Sequence, residues 1–125
     1  MGRAALAAAG VGTKNRRRFP GMTELLDQIQ ALLAQPARDL DRIERTLTDG
    51  YAQALTLEAE RARLERRVME AVQGIEGGDA AKKARELAAL SRRLEGNQDD
   101  LSALRAVLGK LRRHAEVARV GTPTR

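Results

Sequence analysis

Apart from carboxylates, few side chains in this 125-residue chain are suited to act as nucleophiles, bases or metal ligands, and they are not grouped. The chain has no cysteine and one histidine, His114, so only carboxylates remain as other strong metal ligands. His114 lies near the C-terminal end of a predicted helix, where the helix dipole favours a solvated imidazole. A nucleophile needs a base within hydrogen-bond reach, and Ser91 and Ser102 have no histidine near them in the predicted register. The sequence therefore predicts no catalytic, cofactor-binding or metal site, and no cofactor.

Two acidic pairs and one glycine motif also have simpler explanations than a catalytic, metal-binding or phosphate-binding role. Glu58 and Glu65 are one heptad apart and are expected to flank a helix seam. Asp99 and Asp100 form a run too short for a metal loop. The Gly-Val-Gly at 10–12 lacks both the preceding strand and the Gly-Lys-Ser/Thr of a phosphate loop. We expect a protein that is not an enzyme.

Net charge is unevenly distributed along the chain. Of the formal +6, residues 1–21 carry +5, and residues 22–125 carry +1 from 18 basic and 17 acidic side chains. The basic run at 16–18 follows an apolar run instead of preceding it, which is the wrong order for a secretory signal. We interpret residues 1–21 as a disordered basic leader or as a translation start placed upstream of Met22. A mitochondrial-type presequence is the alternative.

A short apolar pattern opens the part of the chain that can fold. Thr23 is predicted to cap a helix over 23–34, in which apolar side chains recur three to four residues apart. The large apolar residues of this helix are Leu25, Leu26, Ile29, Leu32 and Leu33. A helix of about twelve residues is not stable alone in water, so this one must pack on something.

Two longer stripes follow, with positions that alternate three and four residues apart. Nine of the eleven positions from Leu40 to Ile75 are apolar, as are nine of the ten from Leu87 to Ala118, and these stripes predict arms near 38–73 and 79–119. Glycines at 74, 77 and 78 stop the first arm, and Asp79 is predicted to cap the second. Outside the first stripe, the large apolar residues of its arm are Tyr51, Leu55, Met69 and Val72.

A sustained seven-residue period predicts a coiled-coil seam, and a turn of a few residues makes the two arms antiparallel. The predicted fold is all-α: an antiparallel helical hairpin, formed as a two-helix coiled coil, with a short N-terminal helix packing at its base. We expect one domain over 22–121 and a disordered tail at 122–125. Partners across the seam have residue numbers that sum to about 153. Asn97 then faces Thr56 and Leu57, and Arg61 turns its guanidinium out of the seam.

The function predicted from this shape is a non-enzymatic helical interaction module that binds itself or a helical protein partner. The first helix either folds back on the hairpin base, near Leu47, Tyr51 and Val107, or pairs with a second copy to form a homodimer. The candidate partner-binding residues are Leu25, Ile29, Leu32 and Leu33. No motif ties the chain to a named family.

The alternative function is sequence-independent binding of nucleic acid or of an anionic surface. Residues 105–125 carry a local +5, and the register places most of them at the end from which the leader emerges. Phe19 is the one aromatic residue near the leader's basic run, so base stacking contributes little. The candidate phosphate contacts are Arg16, Arg17, Arg18, Arg112, Arg113 and Arg119. No apolar run reaches the ~18 residues that span a bilayer, and we expect a cytoplasmic protein.

Overall fold

The computed structural model describes residues 21–74 and 79–121, which form three α-helices and no strand. Helix α1 spans Met22–Leu33, α2 spans Leu40–Gly74 and α3 spans Ala80–Gly121. The bounds predicted for the two arms differ from those of α2 and α3 by at most two residues. The predicted fold, an all-α helical hairpin with a short N-terminal helix, is confirmed.

Several predictions concern residues outside the described part of the chain. These are the leader except for Gly21, the turn at 75–78 and the tail at 122–125. The candidate phosphate contacts Arg16, Arg17 and Arg18 belong to this group. Disorder of the leader and of the tail stays a prediction.

The three helices begin with two different kinds of cap. Asp39 and Asp79 each accept a hydrogen bond at 3.1 Å, through Oδ1, from the backbone N–H three residues further on. The cap predicted at Asp79 is therefore confirmed. The cap predicted at Thr23 is wrong, because α1 begins at Met22 and its N-cap residue is Gly21, with no capping side chain. The φ angle of Gly21 is 82°, a left-handed conformation that glycine adopts at little cost.

Helices α2 and α3 pack against each other in antiparallel orientation, with most of their predicted seam residues buried and the others partly buried. Asn97 lies in this seam, where its Nδ2 donates to the backbone carbonyl oxygen of Leu57 at 3.0 Å. Arg61 turns its Nε to within 3.2 Å of a carboxylate oxygen of Glu65 and stays partly exposed. Both placements are as predicted. Coiled-coil geometry along the whole seam stays a prediction.

The side chain of Leu108 in α3 packs directly against the backbone of α2 at Gly50, which is a buried position of the seam. A Cβ atom placed on Gly50 would overlap Cδ2 of Leu108, which is itself buried. Leu108 therefore occupies the space that any larger residue at position 50 would need.

Helix α1 folds back onto the hairpin near its base, the end where α2 begins and α3 ends. Its buried side chains Met22 and Ile29 share one core with Ile43, Leu104 and Leu111 of the hairpin. Of the two arrangements expected for this helix, the structure shows the one within a single chain. Val107 and Leu47 belong to this core as expected, whereas Tyr51 is exposed.

The hairpin tip, beyond the reach of α1, has a smaller core made by two helices alone. Leu64 and Ala71 of α2 pack there with Leu90 of α3, and partly buried Val68, Leu87 and Leu94 surround them. The core is therefore formed by three helices at the base and by two at the tip.

In residues 21–74 and 79–121, no helix is long and apolar enough to cross a membrane.

Candidate interaction surface

The four apolar side chains expected to bind a partner are buried within the chain itself or packed against its core. Leu25, Ile29 and Leu32 are buried, and Leu33 is partly buried against the same core. Because α1 covers its own hairpin, these residues leave little apolar surface exposed in a single chain, and their binding of a partner stays a prediction. Large exposed apolar side chains lie instead on α2 and at the end of α3.

Four large apolar side chains are exposed on α2: Tyr51 (43%), Leu55 (66%), Met69 (62%) and Val72 (49%). Their spacings of four, fourteen and three residues fit the helical repeat, so the four share one face of the helix. Ala62, also exposed, lies midway between Leu55 and Met69. We call these five residues the α2 stripe. From Tyr51 to Val72 it is about 32 Å long at the rise of an α-helix.

The α2 stripe lies on the face of the hairpin that α1 does not contact. Helix α1 packs on the opposite face, where Thr46 of α2 and Val107 of α3 are buried and Leu32 of α1 lies beside Thr46. We call the face that carries Tyr51 and the rest of the stripe the open face. Among the described helices none covers it.

Two ion pairs join α2 to α3 along the open face. Arg105 pairs with Glu58, and Arg119 pairs with Glu44 at 2.7 Å. On each helix the paired residues are fourteen positions apart, which is two heptads of the seam. All four side chains are exposed to solvent, so each pair contributes at most about 1 kcal/mol to stability. Their matched spacing nevertheless favours one register of the two helices over slipped ones.

At the hairpin base, the candidate phosphate contacts differ in their surroundings. Arg119 is held by two carboxylates, Glu44 at 2.7 Å and Glu116 at 3.0 Å. The hydrogen bond that Arg119 donates to Glu44 and the nearby charge of Glu116 raise the pKa of Arg119 above its ordinary value. Arg112 and Arg113 are exposed and have no ion-pair partner among the described residues. These two arginines are therefore better placed than Arg119 to meet an anion.

His114, considered above as a base or metal ligand, makes a structural contact. Nε2 of His114 lies 3.0 Å from the backbone carbonyl oxygen of Gln35, so the imidazole holds the α1–α2 connection against α3. A groove of about 370 Å³ lies between α1 and α2, lined by residues such as Gln28, Arg45 and Asp49. Within the described ranges, no three acidic or histidine side chains lie close enough together to share a metal ion. The absence of catalytic activity stays a prediction.

Sequence reasoning separated the large side chains of the α2 stripe from the seam but did not recognise them as one surface. The signal was their own spacing, which repeats with the period of the seam but is displaced by about one residue around the helix. The candidate partner-binding residues were chosen from the short first helix instead, because its five large apolar residues are closer together in sequence.

No family model, no curated protein and no solved structure matches this chain. What the protein does must therefore be inferred from the molecule's own surfaces.

Proposed function

We propose that this protein is a non-enzymatic interaction module that packs the open face of its hairpin against a helix of a second copy or of another protein. The observation that carries the proposal is the α2 stripe, in which four large apolar side chains are exposed on one face of a single helix. Exposed apolar residues scattered singly are ordinary. Here they form two pairs on one helix face, about 21 Å apart with Ala62 midway between them, and this alignment supports a binding surface.

A helical partner fits this row better than an extended one. The large side chains of the stripe recur at helical spacing over about 32 Å, and a facing helix presents its own side chains at matching intervals. Burial of Leu55 and Met69, the two most exposed of the four large side chains, would contribute most of the apolar gain. Glu58 and Arg105 lie beside the stripe and would form part of the interface rim, which is usually polar and partly solvated.

Sedimentation velocity of the full chain across concentrations tests self-binding. We expect the sedimentation coefficient to rise with concentration, as for a weak dimer. A photoreactive residue at position 55, with one at position 120 as a control, tests binding to other proteins in the host cell. A chain that is monomeric at every concentration and gives no position-dependent crosslink in cells would contradict the proposal.

A second candidate function is sequence-independent binding of nucleic acid or of an anionic surface. It is supported by Arg112 and Arg113, which are exposed at the hairpin base without a carboxylate partner among the described residues. Clustered positive charge attracts phosphates without reading sequence. The support is narrower than the sequence alone suggested, because Arg119 is already paired with Glu44 and Glu116.

A further inference from the structure

We infer that the occupant of the α2 stripe is the α2 stripe of a second copy of this chain, packed antiparallel about a two-fold axis at Ala62. This inference rests on the proposed function and specifies its partner and geometry. A two-fold interface is isologous, so that when residue i contacts residue j of the other copy, j also contacts i. The stripe must therefore be complementary to itself when its direction is reversed.

The apolar residues of the stripe satisfy this condition. Leu55 and Met69 each lie seven residues from Ala62, on opposite sides. Tyr51 lies eleven residues before Ala62 and Val72 ten residues after it. Antiparallel packing then places Leu55 against Met69 of the second copy, and Tyr51 against Val72. At the axis the small side chain of Ala62 meets its own copy, which lets the two helices approach closely.

The charges on the same face distinguish the antiparallel orientation from the parallel one. Glu58 lies four residues before Ala62 and Arg66 four residues after it. Antiparallel packing pairs Glu58 with Arg66 of the second copy, and the symmetry repeats this pair. Parallel packing in register would instead oppose Glu58 to Glu58 and Arg66 to Arg66, and like charges across an interface are unfavourable.

Both charged groups are able to make this contact. Arg66 is exposed and has no ion-pair partner among the residues that the structure describes. Glu58 uses Oε2 to accept a hydrogen bond from Arg105, which leaves Oε1 for a second cation. Helix α1 does not obstruct the second copy, because it packs on the opposite face of the hairpin.

The stripe is small for a permanent dimer. Stable interfaces bury roughly 800 Å² on each partner, and one row of four large apolar side chains on each copy is less than that. We therefore expect a reversible dimer with a dissociation constant on the order of micromolar or weaker.

Single cysteines test this geometry, because the natural chain has none. Ala62→Cys places a thiol at the two-fold axis. Ala52→Cys, the control, places one on the same helix about 15 Å from the axis, so that two copies are about 30 Å apart. We expect mild oxidation at micromolar concentration to link Ala62→Cys into a dimer and to leave Ala52→Cys unlinked. Equal linkage of both variants, or linkage of neither, would overturn the inference.

A second substitution in the Ala62→Cys background tests whether the stripe drives the contact. Leu55→Glu should slow disulfide formation about tenfold or more, whereas Val120→Glu, at a residue 84% exposed near the end of α3, should not change it. If the unmodified chain dimerises in sedimentation but Ala62→Cys does not link, this geometry is wrong and the proposed function stands. If the chain neither dimerises nor crosslinks to another protein, both are wrong.

Discussion

Asn97 donates a hydrogen bond from Nδ2 to the backbone carbonyl oxygen of Leu57 at 3.0 Å, across the seam between α3 and α2. The side chain of Asn97 is buried, and its Oδ1 has no hydrogen-bond partner in the described structure. A buried polar atom without a partner destabilises the folded state. The hydrogen bond between Asn97 and Leu57 forms in one register of the two helices only. Asn97 therefore lowers the stability of the fold but favours a defined alignment of α2 and α3.

Replacing Asn97 by Leu should therefore raise the free energy of unfolding, by roughly 1 kcal/mol or more, because the unpaired Oδ1 is removed and apolar contact is gained. Chemical denaturation measures this change. Gln98→Leu, at the neighbouring exposed position, is the control and should change stability by no more than about 0.5 kcal/mol. A loss of stability in Asn97→Leu would show that the hydrogen bond outweighs the unpaired oxygen.

Alanine at Gly50 and at Gly109 should have opposite effects on stability. Both glycines lie inside helices, where alanine is favoured by about 1 kcal/mol. At Gly50 the new Cβ overlaps buried Leu108, and the resulting strain should exceed that gain. At Gly109 the nearest atom is a guanidinium nitrogen of Arg113 at 4.0 Å, so Gly109→Ala should stabilise. Thermal denaturation of both variants checks this, and a stabilised Gly50→Ala would contradict the tight contact between Gly50 and the Leu108 side chain.

Truncation of core leucines should cost more at the base than at the tip. Leu104 lies in the three-helix core with no exposed surface, whereas Leu64 lies in the two-helix core of the tip. We expect Leu104→Ala to destabilise by about 3–4 kcal/mol and Leu64→Ala by about 2–3 kcal/mol, because the thinner core relaxes more easily around a cavity. Exposed Arg63→Ala should cost a few tenths of a kcal/mol. Equal losses at positions 63 and 64 would contradict the buried seam.

Nucleic-acid binding, if it occurs, should depend on Arg112 and Arg113 more than on Arg119. Replacing both arginines by alanine removes two phosphate contacts and should weaken binding. The slope of log K against the logarithm of the salt concentration should also become smaller in magnitude, by about two. Arg119→Ala should have a smaller effect, because Glu44 and Glu116 already neutralise this side chain. Fluorescence anisotropy with a labelled oligonucleotide at two salt concentrations measures both. Deletion of residues 1–21 should weaken binding about tenfold or more.

Absence of binding by the full chain, even at low salt, would remove the nucleic-acid hypothesis. Equal affinity with and without residues 1–21 would instead assign binding to the hairpin base. An Arg119→Ala effect as large as that of the double variant would contradict the ion-pair geometry seen at that residue.

The fold could be predicted from the sequence because one periodic signal determines it. Seam positions such as Leu57 and Leu101 repeat every seven residues, and Gly74 with Asp79 marks the turn between the arms. The start of α1 was misplaced, because Thr23 matches the common capping residues and the left-handed conformation of Gly21 leaves no comparable sequence signal.

The candidate interaction surface was harder to predict, because apolar composition does not say which apolar residues remain exposed. Leu32 and Leu55 each belong to an apolar pattern with helical spacing. Leu32 is buried because α1 packs on the hairpin, whereas Leu55 is exposed. That distinction depends on which face of the hairpin α1 covers. In the structure, α1 covers the face where its own apolar residues join the hairpin core, and Gln35 in the following connection contacts His114.

The most direct test of the α2 stripe as the binding surface is sedimentation equilibrium of two matched double variants beside the unmodified chain. Leu55→Glu with Met69→Glu places two charges on the stripe, and Val117→Glu with Val120→Glu places two on exposed apolar positions of α3. Circular dichroism should show both variants to be as helical as the unmodified chain, since all four side chains are exposed. We predict that the stripe variant is monomeric where the unmodified chain and the α3 variant associate. Association of the stripe variant as strong as that of the unmodified chain would contradict the stripe as the binding surface.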